Sequence, residues 1–370
     1  MKKRITLFLF TWIVVFFLCE TVFSQTQWKN PLEAGFSVIE GRLDNFREFN
    51  RLPEVMKDSV RTEVWNLSHQ SAGLSISFKT EAPKIEVVYS VSGPLQLPHM
   101  PSTGVSGLDL YGKSKEGTWY WLRGNFQFGD TIRYEYQVES ERHTLEEFRL
   151  FLPLYNQVEN LAIGFEPGFS LEFQPIPTSP PVVIYGTSIA QGACASRPAL
   201  AWTAILRREL DQPVVNLGFS GNGLLEKELI HFIGQKEASL FVLDCLPNLV
   251  PGKGLSDKDI RNRLWYAVQY LRQKHPHTPI LLTDHAGYSD GEVDSSRKET
   301  YEHLNLLLAE EYRNMKKEGV SLLFHLEKDQ ISLTEEDFVD GTHPTDGGML
   351  KYAKAYIQKI REIQNQPFDQ

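Results

Sequence analysis

Val182-Val183-Ile184-Tyr185-Gly186-Thr187-Ser188 decides how this chain is read. The run is continuously apolar rather than alternating, which suits a strand covered on both faces of a parallel sheet. Ser188 stands just past it, at the mouth of the strand, where a nucleophile is reachable. Four similar runs follow, at Val214–Gly218, 240–245, Ile280–Thr283 and 322–325. Helical patterns fill the gaps. Ser256 caps one in which Ile260, Leu264, Val268 and Leu271 recur at helical spacing. Others run over about 296–317 and 345–364. Strand–helix alternation predicts a parallel sheet with helices on both faces and ligands at the carboxyl ends of its strands.

Before residue 175 the pattern is different. Residues 74–78 alternate strictly, and short β-like runs recur at 85–91, 119–121, 132–136 and 148–152, with Gly, Pro and Asp turns between. Many short strands at this spacing predict a sandwich or jelly roll. The expected organisation is a β-sandwich over 25–173, a stiff linker over 174–181 containing four prolines, and an α/β domain over 182–370.

Residues 1–24 read as a signal peptide. Lys2, Lys3 and Arg4 precede an apolar stretch, and Val22 and Ser24 fit a cleavage site before Gln25. The stretch is shorter than the ~20 residues that span a bilayer. Cys19 follows Leu18, a poor lipidation signal, so the protein is expected to be periplasmic or extracellular. Removing three positive charges and Glu20 takes the formal charge from −9 to about −11. That disfavours nucleic acid and anionic membranes as partners. Cys194 and Cys245 then remain as the only cysteines, and two buried free thiols are expected. Oligomeric state is not legible.

Asp340-Gly341-Thr342-His343 supplies a second chemical element. A carboxylate three residues before a histidine can hold the imidazole in one tautomer and stabilise its cation. With Ser188 it completes a set of nucleophile, base and orienter. Two further strand ends carry polar groups. Asn216-Leu217-Gly218-Phe219-Ser220-Gly221 is a glycine-bearing turn whose N–H groups can point into a cleft, or an ordinary tight turn. Asp244-Cys245-Leu246-Pro247-Asn248 ends in an amide that can donate to an oxyanion, or forms a simple Asx-turn.

These four segments, in this order, resemble the blocks of the SGNH (GDSL-type) hydrolases over roughly 182–365. Ser188 matches the nucleophile, with Thr187 where the family usually has aspartate. Gly221 and Asn248 match the oxyanion residues, although Pro247 departs from the usual third block. Asp340 and His343 match the last block in full. Gly107-Leu108-Asp109-Leu110-Tyr111 resembles the Gly-x-Asp-Leu-Tyr motif of a β-domain that precedes some bacterial SGNH domains. The resemblance implies a flavodoxin-like three-layer α/β/α domain behind a β-sandwich. It implies an ester hydrolase working through an acyl-serine, with an oxyanion hole of Ser188, Gly221 and Asn248 and no metal or organic cofactor. Exported enzymes of this kind often remove acetyl or other small acyl groups from glycans.

Some residues stay open. His285, Asp109 and Tyr111 are possible substrate contacts. His275 and His277 read as a solvated turn, because no third metal ligand is in register. Consecutive Trp119, Tyr120 and Trp121 alternate faces, and the core is their expected place. Two rivals also remain: a lipase, thioesterase or acyltransferase with the same site, and a non-catalytic glycan-binding protein. Intact Ser188, Gly221, Asn248, Asp340 and His343 argue against the latter.

Overall fold

The computed structural model describes residues 25–138 and 144–365. The expected signal peptide and Cys19 lie outside the described residues. Among the described residues, no helix is long and apolar enough to cross a membrane.

The five parallel strands form where the sequence placed them: Val182–Gly186, Val214–Gly218, Leu240–Asp244, Ile280–Thr283 and Leu323–Leu326. Counted along the chain, their spatial order is second, first, third, fourth, fifth. That is the flavodoxin-like order, with its switch point beside the first strand. Both faces of the sheet are covered. Val183 and Tyr185 pack in one core with the helices Asp257–Lys274 and Ser295–Lys317, while Val182 and Ile184 pack in another with Trp202–Glu209 and Asp346–Gln364. The first of these helices starts as its sequence suggests: Ser256 and Asp259 close a reciprocal capping box. Trp202–Glu209 and Lys227–Ile233 escape the periodicity reading. They are short, and Trp202–Glu209 is buried over most of its length.

The amino-terminal half is a sandwich of two antiparallel sheets. One runs Gln27–Lys29, Val158–Phe165, Lys84–Val91, Ile132–Gln137, Gly124–Gln127. The other runs Leu171–Phe173, Ser75–Thr80, Leu145–Phe151, Asp109–Ser114, Trp119–Leu122, with Ile39–Glu40 added against Ser75–Thr80. Their inner faces share one core that includes Ile76, Phe78, Val87 and Phe148. The core expectation for the aromatic triplet is corrected here. Trp119–Leu122 is an edge strand, and Tyr120 and Trp121 stay 36% and 47% exposed.

The two halves are fused by more than the linker. Leu52, Met56, Val64 and Trp65 belong to one core of the parallel sheet, and Ala72, Met100, Val105 and Leu154 to the other. The Asp109 carboxylate accepts from Arg197 Nη1 (2.9 Å) and from the Ala199 N–H (2.8 Å). Tyr111 Oη accepts from the same Arg197 nitrogen at 3.2 Å. The Gly-x-Asp-Leu-Tyr segment is thus a clamp on the α/β half.

Candidate active site

Parallel register sets Gly186 beside Gly218 on one side and Asp244 on the other. The three segments that leave these strand ends therefore open on one edge of the sheet. Ser188 begins a one-turn helix, Ser188–Gln191, and Thr187 caps it by accepting from the Ile189 N–H at 3.3 Å. A hydroxyl suffices for that cap, which accounts for Thr187 at a position where the family uses aspartate. As a first helical residue, Ser188 has no acceptor for its own N–H within the helix.

The nucleophile turn is braced from the second strand. Asn216 Nδ2 donates to the Ala190 carbonyl (2.7 Å) and its Oδ1 accepts from Gly218 N–H (2.8 Å). Gln191 Oε1 accepts from Ser220 N–H at 3.0 Å. A Cβ on Gly218 would sit 2.2 Å from Gln191 N, so only glycine permits this approach. Gly221 has φ +68°, a left-handed conformation that favours glycine.

Pro247 departs from the family pattern. It lies in the 3₁₀ turn Leu246–Asn248, which presents Asn248. The hydrogen-bond network fixes the Asn248 amide: its oxygen accepts from Asn222 N–H (3.0 Å) and Gly223 N–H (3.1 Å). Both amide N–H bonds remain for another acceptor.

The last block closes the site. Ser188 Oγ lies 2.8 Å from His343 Nε2, and His343 Nδ1 lies 2.7 Å from Asp340 Oδ2. Asp340 Oδ1 also accepts the backbone N–H of Thr342 (3.1 Å) and His343 (2.8 Å). Burial raises the Asp340 pKa, but the hydrogen bonds from His343 outweigh it and hold the carboxyl below its ordinary range. Arg297 locks the turn by donating to Gly341 O (3.0 Å) and Thr342 Oγ1 (3.2 Å) while bonding Asp290 (2.7 Å).

The remaining candidates for substrate contact are buried. His285 is 1% exposed, flanked by Tyr288 and Tyr301; burial, then Arg297 and Lys328, push its pKa down to about 3, so it is neutral. Asp109 and Tyr111 are buried in the interdomain clamp. Cys194 and Cys245 are free and buried, as expected. His275 bonds the Gly234 carbonyl rather than a metal set.

Three residues near the site escaped sequence reasoning. His99, from the sandwich half, stacks on His343 with ring centroids 6.0 Å apart. Arg51 is fully buried and donates to the carbonyls of Gly218, Leu67 (2.6 Å) and Gln70 (2.8 Å). Among the described residues, His99, Cys194 and Asp340 bring possible metal-ligand atoms within 4.8 Å of one another. The set is a poor one. Burial and Asp340 push the Cys194 thiol up to about 12, and the Asp340 oxygens already accept three N–H groups.

Asp244 is the third. It is 1% exposed, and neither oxygen has a hydrogen-bond partner among the described residues; the nearby Tyr356 hydroxyl donates to Thr283 at 2.9 Å. Burial pushes its pKa up to about 8. The folded chain therefore keeps a proton that the unfolded chain loses above its ordinary 3.8. Stability should fall as pH rises from about 4 to about 8 and then level off. Asp244→Asn is expected to flatten that slope, read from thermal unfolding at a series of pH values. An unaltered slope would show that Asp244 is ionised in the fold.

Comparison with known proteins shows the family. A sequence model of the GDSL-like lipase/acylhydrolase family matches residues 179–361. A second, the N-terminus of SGNH-hydrolase-type esterases, matches residues 26–171. None of the curated proteins matches the chain. Among solved structures, a protein described as a GDSL-like lipase from Bacteroides ovatus is 32% identical, with TM-score 0.83, over 94% of this chain and 100% of its own. A salicylyl-acyltransferase from a tetracycline biosynthetic pathway is 20% identical, with TM-score 0.72, over 92% and 98%. A family two carbohydrate esterase from Cellvibrio japonicus is 13% identical, with TM-score 0.56, over 92% and 98%. The last two show the fold alone. The chain belongs to the GDSL-like lipase/acylhydrolase family, in its SGNH form with the amino-terminal Gly-x-Asp-Leu-Tyr domain, and is an ester-bond hydrolase.

Proposed function

We propose that this hydrolase is exported and removes acetyl or another small acyl group from a glycan through an acyl-serine. The observation that carries the serine mechanism is the unbroken relay Ser188 Oγ–His343 Nε2–Asp340 at 2.8 and 2.7 Å. His343 takes the Ser188 proton as Oγ attacks the ester carbonyl. The N–H groups of Ser188 and Gly221 and the Asn248 amide receive the charge that develops on oxygen. The tetrahedral adduct collapses, and His343 returns the proton to the departing alcohol. Water, deprotonated by His343, then attacks the acyl-serine and frees the acid and Ser188. Asp340 stays ionised throughout and stabilises the imidazolium.

The export, small-acyl and glycan parts rest on three observations. The sequence begins with a signal-type segment, the sandwich carries exposed aromatic rings, and carbohydrate esterases share the fold. The test is acetate release from a panel of acetylated glycans by the mature protein. Release that requires Ser188 supports the small-acyl and glycan parts. Cleavage of p-nitrophenyl acetate without release from any glycan would keep the mechanism and reject the substrate.

A further inference from the structure

We propose that the groove at the open edge of the sandwich, between Trp121, Phe126 and Arg197, is a sugar-binding subsite that holds a glycan chain beside the catalytic cleft. The proposal builds on the glycan-ester reading and names where the rest of the chain would lie.

The groove is a cavity of about 440 Å³ lined by both halves of the protein, Arg197 coming from the catalytic side. Trp121 and Phe126 stand on edge strands of the two different sheets and remain 47% and 53% exposed. Leaving two large rings in water forgoes about 1.5–3 kcal/mol of burial for a side chain such as Phe. Trp121 is nevertheless held rigidly. Its Nε1–H donates to Asp109 Oδ1 at 2.9 Å, and the Arg197 guanidinium lies 4.5 Å from its ring. Asp109 and Tyr111 hold Arg197 in turn. A flat face fixed in advance loses little rotamer freedom when a ligand stacks on it.

The polar lining selects the ligand. Tyr136 lines the cavity, is 1% exposed, and its hydroxyl has no hydrogen-bond partner among the described residues. That hydroxyl is closed to a ligand, but Arg123 and Asn125 on the same wall are exposed, and their N–H groups can meet a ligand hydroxyl. An acyl tail offers no such group. A phosphate or carboxylate would meet Asp109 beside Arg197, whose charge is already matched. A neutral pyranose fits, with apolar C–H faces for the indole and hydroxyls at its rim.

Position connects this groove to the chemistry. Thr103 also lines it, four residues after His99, whose ring stacks on His343. Four Cα steps limit that separation to about 15 Å. Thr103 Oγ1 donates to the Ser196 carbonyl at 2.7 Å, joining the two walls, and Arg197 follows directly. A chain of a few sugars would reach from one site to the other.

The test is steady-state kinetics of the full mature chain on acetylated xylohexaose and acetylated xylose. Trp121→Ala is expected to raise KM for the hexaose about tenfold, equivalent to about 1.4 kcal/mol, with kcat retained. The hexaose-to-monomer ratio of kcat/KM should fall by the same factor. Phe126→Ala, which leaves the Asp109 clamp intact, should lower that ratio about threefold. An unmoved ratio in both variants overturns the proposal. Should the wild-type chain cleave p-nitrophenyl acetate but no acetylated sugar, tryptophan fluorescence decides directly. Quenching on titration with xylohexaose, cellohexaose or mannohexaose, lost in Trp121→Ala, supports the subsite although the substrate reading has failed. No quenching with any of the three overturns it.

Discussion

Ser188→Ala is expected to lower kcat for p-nitrophenyl acetate by about 10⁵–10⁶-fold while leaving the melting temperature close to that of the parent. The size follows from the relay. His343 and Asp340 act on substrate only through Ser188 Oγ, so removing that atom silences all three residues together. What survives is the proposed oxyanion site of Ser188, Gly221 and Asn248. Asn248→Ala should therefore cost far less, about 10²–10³-fold, because it removes one donor of three. The two variants form an ordered pair. A Ser188→Ala enzyme no slower than Asn248→Ala would deny the acyl-serine and leave water as the attacking group. Fold loss is not expected in the serine variant: Oγ makes its hydrogen bond to His343, while the backbone of the Ser188 turn is held by Asn216 and Gln191.

Arg51→Met should destabilise the protein by about 3 kcal/mol or more, the sum of several buried acceptors left unpaired. The guanidinium is fully buried and faces carbonyl oxygens, those of Gly218, Leu67 and Gln70, with the Phe219 ring 4.8 Å away. Burial lowers its pKa to about 9, still charged at neutral pH. Met fills the volume but donates nothing. Because Gly218 leads into the turn of Gly221, the loss should also reach kcat. Urea unfolding and p-nitrophenyl acetate turnover measure the two effects. A destabilisation below about 1 kcal/mol would mean that the carbonyls find other donors.

Much of this site is legible in the chain because parallel sheets bring their strand ends together whatever lies between. Ser188, Gly221 and Asn248 each sit a few residues past an apolar run, and in-register pairing of Gly186, Gly218 and Asp244 does the rest. Asp340 and His343 are legible for another reason: their contact is local, within one turn. Arg51 is not legible, since its partners include a backbone carbonyl 167 residues away and a carbonyl carries no sequence signature. His99 is hidden likewise, by a stacking contact made across the two halves. The aromatic triplet misleads because hydrophobicity says that a ring prefers burial but not that its strand lies at an edge. Asp109 and Tyr111 are found by motif, yet only the structure reveals that they grip Arg197.

The shared cores have a consequence for anyone who would treat the two halves as interchangeable parts. Composition changes at the proline-rich segment 174–181, so a gene would naturally be cut there. The physical seam lies elsewhere, because Leu52, Met56, Val64 and Trp65 seal one face of the parallel sheet from across that cut. A hydrolase half expressed from residue 182 would leave bare the part of that face its own helices do not cover, and a chimaera joined at the prolines would inherit a foreign surface against it. Met100, Val105 and Leu154 lie in the other core of that sheet and Asp109 holds Arg197, so recombination that preserves function must carry the two halves together, as a single unit.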